Sequence, residues 1–473
     1  MDALKKILLQ NYKNKKLFYL SNETISYLDL VKLTKIIIKN LNKNCVGNRV
    51  GILFDHGPLY ASSLLGSLIS RSTAVLMTKS WTNKEFNKII KTTDTNYILS
   101  DTTQKGFKLL NEINFLNYKI KLLKKIRLSN IKSKPEDDLI IFSSGTTQKA
   151  KGVLLSKNSV VKNAYAVCSY LKLNKKDISL IYTPTCYAFS LSQTITHLIA
   201  GASLFAAKRM LPMDALSNIL KYKVTGLTGP PAGFENLNNF IKKPIDSIRY
   251  CQVGGTPFYF KTYKKLKKNF PRAIIFNVYG CTENSPRVSY LKIQNLKKDL
   301  DNDGYFGIGK NVKGTNIKIK KENKKDNFGE IIIKGKSMFH GYWNNRLLYK
   351  SKIYKSYFKT GDMGYFSNKR LFLLGRKDFS INVGNEKVFP EEIENIAKKN
   401  KNVLDVVVYS KKDIKFGKKI IMDVVLKKQL NIDNLKFFMR KYLSAFKIPK
   451  IINKTKFIKK NLYGKIDRKF YAN

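Results

Sequence analysis

Short apolar segments alternate with segments of helical periodicity in the first part of the chain, and this alternation limits the fold more than any other feature. Residues 49–54, 74–77 and 95–100 are predicted strands, and residues 59–69 are a predicted buried helix. Alternating strands and helices are typical of α/β folds with largely parallel sheets. The 473 residues suffice for two or three such domains.

Residues 139–153 join a predicted strand to a polar loop. Gly145 permits a tight turn, and successive backbone N–H groups in such a turn form an anion site. Donors and charge that suit a polyphosphate come from Ser143, Ser144, Thr146, Thr147, Lys149 and Lys151. A plain polar loop is the alternative for this stretch taken alone, because the chain has no Walker-type loop and no complete dinucleotide-binding glycine pattern.

Further polar groups follow other predicted strands. Residues 276–285 contain a predicted strand and the polar groups that it delivers. Tyr279 offers an aromatic face, and Glu283 offers the hard oxygen that Mg²⁺ prefers. The Asp362 carboxylate can accept two hydroxyl protons, and the planar fork of Arg376 suits a phosphate or a ribose. These residue types are those that a nucleotide site needs.

In this order, these segments resemble the motifs of the adenylate-forming superfamily, which includes acyl-CoA synthetases, adenylation domains of peptide synthetases and luciferases. The matches run from residue 26 to residue 468. The loop departs from the family pattern at two positions, with Gln148 in place of glycine and Ala150 in place of proline. The resemblance implies a large N-terminal domain of packed α/β subdomains, residues 1–377, and a small mobile α/β C-terminal domain, residues 378–473, that carries a catalytic lysine.

The resemblance also implies site residues. The expected catalytic residues are Lys465, Glu283 and Thr146, with Mg²⁺ on Glu283. The expected hinge between the domains is Asp378. The expected ATP- and AMP-binding residues are Ser143, Ser144, Gly145, Thr146, Thr147, Lys151, Gly254, Gly255, Thr256, Tyr279, Gly280, Thr282, Asp362, Arg376 and Lys465.

The acyl pocket and the thiol path follow in the same way. The pocket candidates are Tyr187, Phe189, Thr256 and Asn284, and the candidates for a thiol tunnel are Gly384 and Asn385. Core aromatics are an equal alternative for Tyr187 and Phe189, and a simple tight turn is the alternative for Gly254 and Gly255. Asn385 replaces a family glycine and leaves the thiol acceptor open. Ala188 lies near the position where peptide-synthetase domains hold an α-ammonium with an aspartate, which favours a plain carboxylic acid.

The implied function is ATP-dependent activation of a carboxylic acid, expected to be a fatty acid, to an acyl-adenylate, followed by thioester formation with coenzyme A. One alternative is a stand-alone enzyme that loads an acyl- or peptidyl-carrier protein through its phosphopantetheine. Another is a degenerate homologue that binds polyanions through its basic surface. The four groups Glu283, Asp362, Arg376 and Lys465 argue against the last alternative.

The formal net charge of +56 bears on that alternative. Lysines are spread along the whole chain together with abundant asparagine and isoleucine, so we interpret the charge mainly as a coding bias rather than as a specific nucleic-acid surface. Five scattered cysteines without a paired spacing fit a reducing compartment. No apolar run reaches the roughly 18 residues of a membrane span. A cytoplasmic protein without a transmembrane segment is expected.

Overall fold

The computed structural model describes residues 3–10, 16–20, 24–129, 133–134, 137–143, 151–181, 183–206, 212–301, 304–383, 386–413, 417–427, 431–460 and 466–472. Among the predicted site residues, Ser144, Gly145, Thr146, Thr147, Gly384, Asn385 and Lys465 lie outside these ranges.

The strands, in chain order, are β1 (Leu17–Leu20), β2 (Ile25–Ser26), β3 (Arg49–Leu53), β4 (Thr73–Leu76), β5 (Tyr97–Ser100), β6 (Phe107–Phe115), β7 (Tyr118–Lys125), β8 (Leu139–Ser143), β9 (Lys151–Leu155), β10 (Ile178–Ile181), β11 (Ser203–Ala206), β12 (Gly226–Gly229), β13 (Tyr250–Gly254), β14 (Ile274–Gly280), β15 (Arg287–Lys292), β16 (Lys310–Asn311), β17 (Thr315–Lys320), β18 (Gly329–Gly335), β19 (Gly341–Tyr342), β20 (Ile353–Tyr354), β21 (Tyr357–Ser367), β22 (Arg370–Arg376), β23 (Ile381–Val383), β24 (Glu386–Val388), β25 (Val403–Asp413), β26 (Gly417–Leu426) and β27 (Ile451–Lys454).

The helices are α1 (Ala3–Gln10), α2 (Tyr27–Asn44), α3 (Pro58–Ile69), α4 (Asn83–Thr93), α5 (Lys157–Leu171), α6 (Ala188–Ala200), α7 (Pro212–Lys221), α8 (Pro231–Asn238), α9 (Phe260–Asn269), α10 (Leu296–Asp299), α11 (Arg346–Lys352), α12 (Pro390–Lys399), α13 (Ile432–Arg440) and α14 (Arg468–Ala472). Single turns of 3-10 helix occupy Thr282–Asn284, Lys377–Phe379 and Ala445–Lys447.

Two large sheets dominate the first part of the chain. A nine-stranded sheet has the order β16-β15-β14-β13-β12-β10-β11-β1-β2, and an eight-stranded sheet has the order β19-β9-β8-β4-β3-β5-β7-β6. Their central strands pair in parallel, whereas strands at the edges pair antiparallel. The predicted α/β class with largely parallel sheets is therefore confirmed.

The parallel pairing determines where a site can form. Strands β10, β12, β13 and β14 are parallel neighbours, so their carboxyl ends meet at one edge of the nine-stranded sheet. In open α/β sheets, ligands bind in the crevice outside this edge. The segments after Ile181, Gly254 and Gly280 all leave from it.

Local sequence signals explain where several helices begin. The Ser26 side chain accepts a hydrogen bond from the backbone N–H of Asp29 at the start of α2, and Ser156 caps α5 in the same way. Both helices turn an apolar face inward. Helix α3 is buried over most of its length, as the small and apolar residues of this segment predict.

The region before the phosphate loop corrects one expectation. The sequence of residues 122–138 predicts a polar connection that leads into the phosphate loop. Strand β7, however, extends to Lys125 and forms an antiparallel hairpin with β6. Ile120 and Leu122 lie on one face of β7 and Leu123 lies on the other, and all three are buried. Abundant lysines on the other positions hide this alternation in the sequence.

The last part of the chain has its own core. Strands β25, β26 and β27 form a three-stranded sheet, and α12 and α13 pack on it around residues such as Ile393, Val406 and Met439. The sequence predicts strands in residues 403–410 and 419–427 and a helix in residues 434–443, and β25, β26 and α13 confirm these three elements. Across the residues that the structure describes, no helix has the length and apolar character to cross a membrane.

Candidate active site

Three of the predicted nucleotide residues meet directly. Asp362 on β21 and Arg376 on β22 are register partners, and Arg376 Nη1 donates to Asp362 Oδ1 at 3.0 Å. The Tyr279 hydroxyl, at the end of β14, donates to the other Asp362 oxygen at 2.5 Å. Burial and the neighbouring carboxylate raise the pKa of the Tyr279 phenol, so it remains a donor. Tyr279, Asp362 and Arg376 thus form one hydrogen-bonded chain across two sheets.

Arg376 also connects this chain to the predicted hinge. Its Nη2 lies 3.2 Å from Asp378 Oδ2, and its Nη1 donates to the Thr360 carbonyl at 3.0 Å. Burial alone would lower the pKa of Arg376, but Asp362 and Asp378 outweigh it and raise that pKa. The guanidinium therefore stays charged where an anionic ligand would meet it.

Glu283 lies in the 3-10 turn after β14. Its Oε1 accepts a hydrogen bond from the Tyr342 hydroxyl at 2.9 Å, and its carbonyl accepts one from the backbone N–H of Phe339 at 2.8 Å. Burial raises the pKa of Glu283, while the Tyr342 hydroxyl and the charge of Lys151 oppose this rise. A single half-buried carboxylate fits Mg²⁺, which binds through one or two carboxylates and completes its shell with water and substrate phosphates.

The predicted phosphate loop joins two paired strands. Strands β8 and β9 are antiparallel, and Ser143 is the register partner of Lys151. Burial and the nearby Lys352 lower the pKa of Lys151, and Glu283 opposes this. The base of the loop therefore lies beside the Glu283 carboxylate.

Two different structural constraints favour glycine at the predicted site positions 254, 255 and 280. A Cβ at Gly254 would lie 2.4 Å from the Val278 carbonyl oxygen, and one at Gly280 would lie 2.1 Å from the Pro286 carbonyl oxygen. These two glycines permit close packing of neighbouring strands. Gly255 has φ +92° and open space around it, and with Thr256 it is exposed at the carboxyl edge of β13.

The acyl-pocket candidates occupy different environments. Tyr187 precedes α6 and Phe189 lies in its first turn, and both are half-buried at the carboxyl edge beyond β10. Asn284 is fully buried, and its Nδ2 donates to the Arg287 carbonyl at 2.7 Å. The Asn284 amide therefore holds the backbone that leads into β15.

The C-terminal part contributes an anchored cation. Arg468 donates to both oxygens of Glu394, at 2.9 and 2.8 Å, and lies 3.3 Å from Glu391. Glu391 in turn packs against β22, where a Cβ at Gly375 would lie 2.4 Å from its Oε2. Arg468 thus fixes the chain that follows Lys465 to helix α12.

Sequence reasoning missed several residues of the site. The sequence predicts only a scaffold role for residues 341–345, but the Tyr342 hydroxyl donates a hydrogen bond to Glu283. Arg287 was not considered, yet its guanidinium carbon lies 4.8 Å from the centre of the Phe189 ring. The order of residues after Glu283 was visible, but nothing in it reveals which side chain is buried.

The chain matches the family described as "AMP-binding enzyme" over residues 9–343. A 2-succinylbenzoate–CoA ligase of Bacillus subtilis is 24% identical over 385 residues, 80% of this chain and 74% of the ligase. Bacitracin synthase 3 of Bacillus licheniformis is 27% identical over 344 residues, which is 70% of this chain but only 5% of that protein.

Solved structures support the fold over the whole length. The o-succinylbenzoate CoA synthetase of Bacillus subtilis, in complex with its acyl-adenylate intermediate, aligns with a TM-score of 0.84 at 21% identity and covers 99% of this chain and 98% of its own. The same enzyme in complex with ATP and magnesium ion aligns with a TM-score of 0.83.

Proposed function

The chain belongs to the AMP-binding enzyme family, and we propose that it activates a carboxylic acid with Mg·ATP and transfers the acyl group to coenzyme A. It would thus be an AMP-forming acid–thiol ligase, the class to which the name of the relative 2-succinylbenzoate–CoA ligase belongs.

One observation carries the proposal. The half-buried carboxylate of Glu283 and the ammonium of Lys151 lie close enough to Arg376 for the three charges to affect one another. Arg376 is bound to Asp362, and Asp362 to Tyr279. A polyphosphate needs cations and a metal ligand, and a nucleoside needs an aromatic face and a hydroxyl acceptor. The groups for both halves of ATP therefore converge.

In the first step, an oxygen of the acid attacks the α-phosphorus of ATP, and the bond to the pyrophosphate oxygen breaks. Both reactants are anions, so their repulsion must be offset. We assign this to Lys151 and Arg376, to the loop donors of residues 143–147, and to Lys465. Bound Mg²⁺ would supply further neutralising charge on the phosphates, with Glu283 as its protein ligand. Asp362 would hold the ribose and Tyr279 the adenine.

In the second step, a thiol sulfur attacks the acyl carbon and a C–S bond forms. The bond between the acyl carbon and the phosphate oxygen breaks, and AMP leaves. Lys465 has no role in this step, so the C-terminal part is free to turn about Asp378 and to open the path beside residues 384 and 385. We assign no general base to the thiol.

The acid itself is less well defined than the reaction. The expected fatty acid has no support in the name of the relative, because 2-succinylbenzoate is an aromatic acid with two carboxyl groups. A carrier protein as the acceptor remains the alternative to coenzyme A. The cytoplasmic location also stays a prediction.

The test is acid-dependent release of pyrophosphate with Mg·ATP, followed by thioester formation with coenzyme A alone. Release that depends on one class of acid and a coenzyme A thioester as product are expected. A thioester with a carrier protein but none with coenzyme A would replace the proposal by the carrier-loading alternative. If no acid gave pyrophosphate while the protein bound RNA saturably and with little sensitivity to salt, the degenerate polyanion-binding homologue would be the better description.

A further inference from the structure

Arg287 is a buried cation without a carboxylate partner in the described part of the chain. Its side chain is 2% exposed, and its Nε has no hydrogen-bond partner. Among the described residues, its Nη2 lies 3.4 Å from Gln252 Oε1, a long distance for a hydrogen bond, and its other neutral polar neighbour is the Tyr170 hydroxyl. A guanidinium has five N–H donors, and burying its charge without an anion is costly.

Other arginines of this chain are treated differently. Arg249 binds both oxygens of Asp177, at 3.0 and 2.8 Å, and Arg370 binds Asp299 at 3.1 Å. Arg376 and Arg468 have the carboxylate partners described above. The buried Arg49 donates instead to the backbone carbonyls of Thr93 and Asp94, at 2.9 and 2.6 Å. Each of these arginines therefore has short hydrogen bonds to oxygen acceptors, and Arg287 differs from them.

The position of Arg287 is held from both sides. Its backbone N–H donates to Asn163 at 3.1 Å, and its carbonyl accepts hydrogen bonds from the side-chain amides of Asn163 and Asn284, at 2.8 and 2.7 Å. Its register partner is Gly280, the residue after Tyr279. The start of β15 thus lies beside the end of β14, and the Arg287 guanidinium carbon lies 4.8 Å from the centre of the Phe189 ring.

Hydrogen-bonded polar side chains lie beside the guanidinium. The Tyr170 hydroxyl donates to Gln252 Oε1 at 2.6 Å, and Gln252 Nε2 donates to Thr228 at 3.1 Å. Burial raises the pKa of the Tyr170 phenol, and the charge of Arg287 opposes that rise. Tyr170 also stacks on Tyr290, with ring centres 4.2 Å apart. Rigid polar and aromatic groups at this end would fit a flat or polar substrate better than a flexible alkyl chain.

We propose that Arg287 binds a second carboxylate at the far end of the acid, so that the substrates are dicarboxylic acids. This inference rests on the proposed function of the same site. The planar fork of arginine matches a carboxylate in a bidentate manner, and the bound anion would supply the missing partner. An alkyl chain at the same place would leave the charge unpaired.

The first experiment compares acids that differ only in the far group. Succinate is paired with butyrate, adipate with hexanoate, and terephthalate with 4-methylbenzoate, and kcat/KM is measured by pyrophosphate release. We expect the diacid of at least one pair to be favoured by about a hundredfold or more, the effect of leaving a buried charge unpaired. Equal or better activation of the monoacid in every pair would overturn the proposal.

The second experiment removes the cation. Arg287→Met should abolish the preference, with kcat/KM for the diacid lower by about a hundredfold and that for the monoacid unchanged or higher. Arg249→Met is the control. Arg249 immediately precedes β13, at the end of the strand away from the site, and this variant should keep the preference for the diacid. If Arg287 had only a structural role, its replacement would lower the unfolding midpoint and would reduce the activity with both acids alike. Replacing an unpaired buried charge by methionine should leave the midpoint unchanged or raise it.

A binding measurement separates this inference from the proposed reaction. Two non-reactive acyl-sulfamoyl adenosines, which differ only in a terminal carboxylate or methyl group, are titrated by calorimetry into the native protein and into Arg287→Met. Tighter binding of the carboxylate form, lost in the variant, would support the inference even if turnover failed. Equal binding of the two by the native protein would overturn it even if turnover with some acid succeeded.

Discussion

The Tyr279 hydroxyl donates a hydrogen bond to the Asp362 carboxylate, and their oxygens lie 2.5 Å apart. The two residues are 83 positions apart in the chain and belong to different sheets. The bond joins the end of β14 to β21 and leaves the other Asp362 oxygen to Arg376. The residues predicted to bind adenine and ribose are therefore linked directly by hydrogen bonds.

Removing the carboxylate should weaken nucleotide binding. We expect Asp362→Ala to lower the affinity for ATP by about tenfold or more, because the ribose hydroxyls lose a charged acceptor. Calorimetric titration with Mg·ATP measures the effect. Tyr279→Phe is the control, since it removes the bond between the two side chains but keeps the carboxylate and the ring. Unchanged affinity in Asp362→Ala would contradict the ribose contact.

Tyr342 should control the pH dependence of adenylation through Glu283. Burial raises the pKa of Glu283, and the Tyr342 hydroxyl lowers it by donating to the carboxylate. Activity that needs the ionised carboxylate rises as the pH passes this pKa. In Tyr342→Phe the pKa rises further, so the acidic limb of the pH–kcat profile should move to higher pH. Tyr349→Phe is the control, because its ring packs on the same Phe339. Identical limbs in both variants would refute the link.

Glu391 should make the stability of the protein depend on pH. Burial raises the pKa of its carboxyl to about 7, with Arg468 opposing. The unfolded chain ionises this group near its ordinary value of about 4.3. Its stabilising contribution is thus complete below that value and is lost as the pH rises through about 7.

Urea unfolding at pH 5.5 and pH 8 tests this contribution. Glu391→Gln should reduce the loss of unfolding free energy between these pH values by about 1–2 kcal/mol. Glu392→Gln is the control, because that neighbouring carboxylate contacts Lys447 instead. If the unfolding free energy of Glu391→Gln fell between pH 5.5 and pH 8 by as much as that of the native protein, Glu391 would not be the source of the pH dependence.

Lys465 should act in only one of the two half-reactions. We expect Lys465→Ala to slow acid-dependent pyrophosphate release by about a hundredfold or more, because a charge that stabilises the transition state is lost. Thioester formation from a supplied acyl-adenylate should be largely unaffected. Lys454→Ala, an exposed lysine of the same C-terminal part, controls for general loss of positive charge. Equal slowing of both half-reactions would contradict the assigned role.

The motifs and their order predicted the family and the α/β fold, and both predictions are confirmed. They also named Tyr279, Asp362 and Arg376, which the fold brings together. The motifs could not reveal the partners of these residues, because Tyr342 and Glu283 meet across 59 positions of chain through the pairing of β19 with β9.

Arg287 marks a different limit of sequence reasoning. Any arginine in this chain reads as one more surface cation, since lysine and arginine together number 89. Only the packing of β14, β15 and α6 reveals that this one is buried and lacks an acid. The hairpin β6–β7 was missed for a similar reason, because its lysines mask the apolar face.

The turn from Tyr279 to Arg287 spans the boundary between nucleotide and acid. Gly280 lets the returning strand approach so closely that Arg287 starts where Tyr279 ends. With the proposed role of Arg287, the residues that hold the nucleotide are a fixed part of such an enzyme, while its choice of acid depends on one residue next to them. We expect a lineage of these proteins to acquire new acids by point substitution at this boundary, without rebuilding the machinery that consumes ATP.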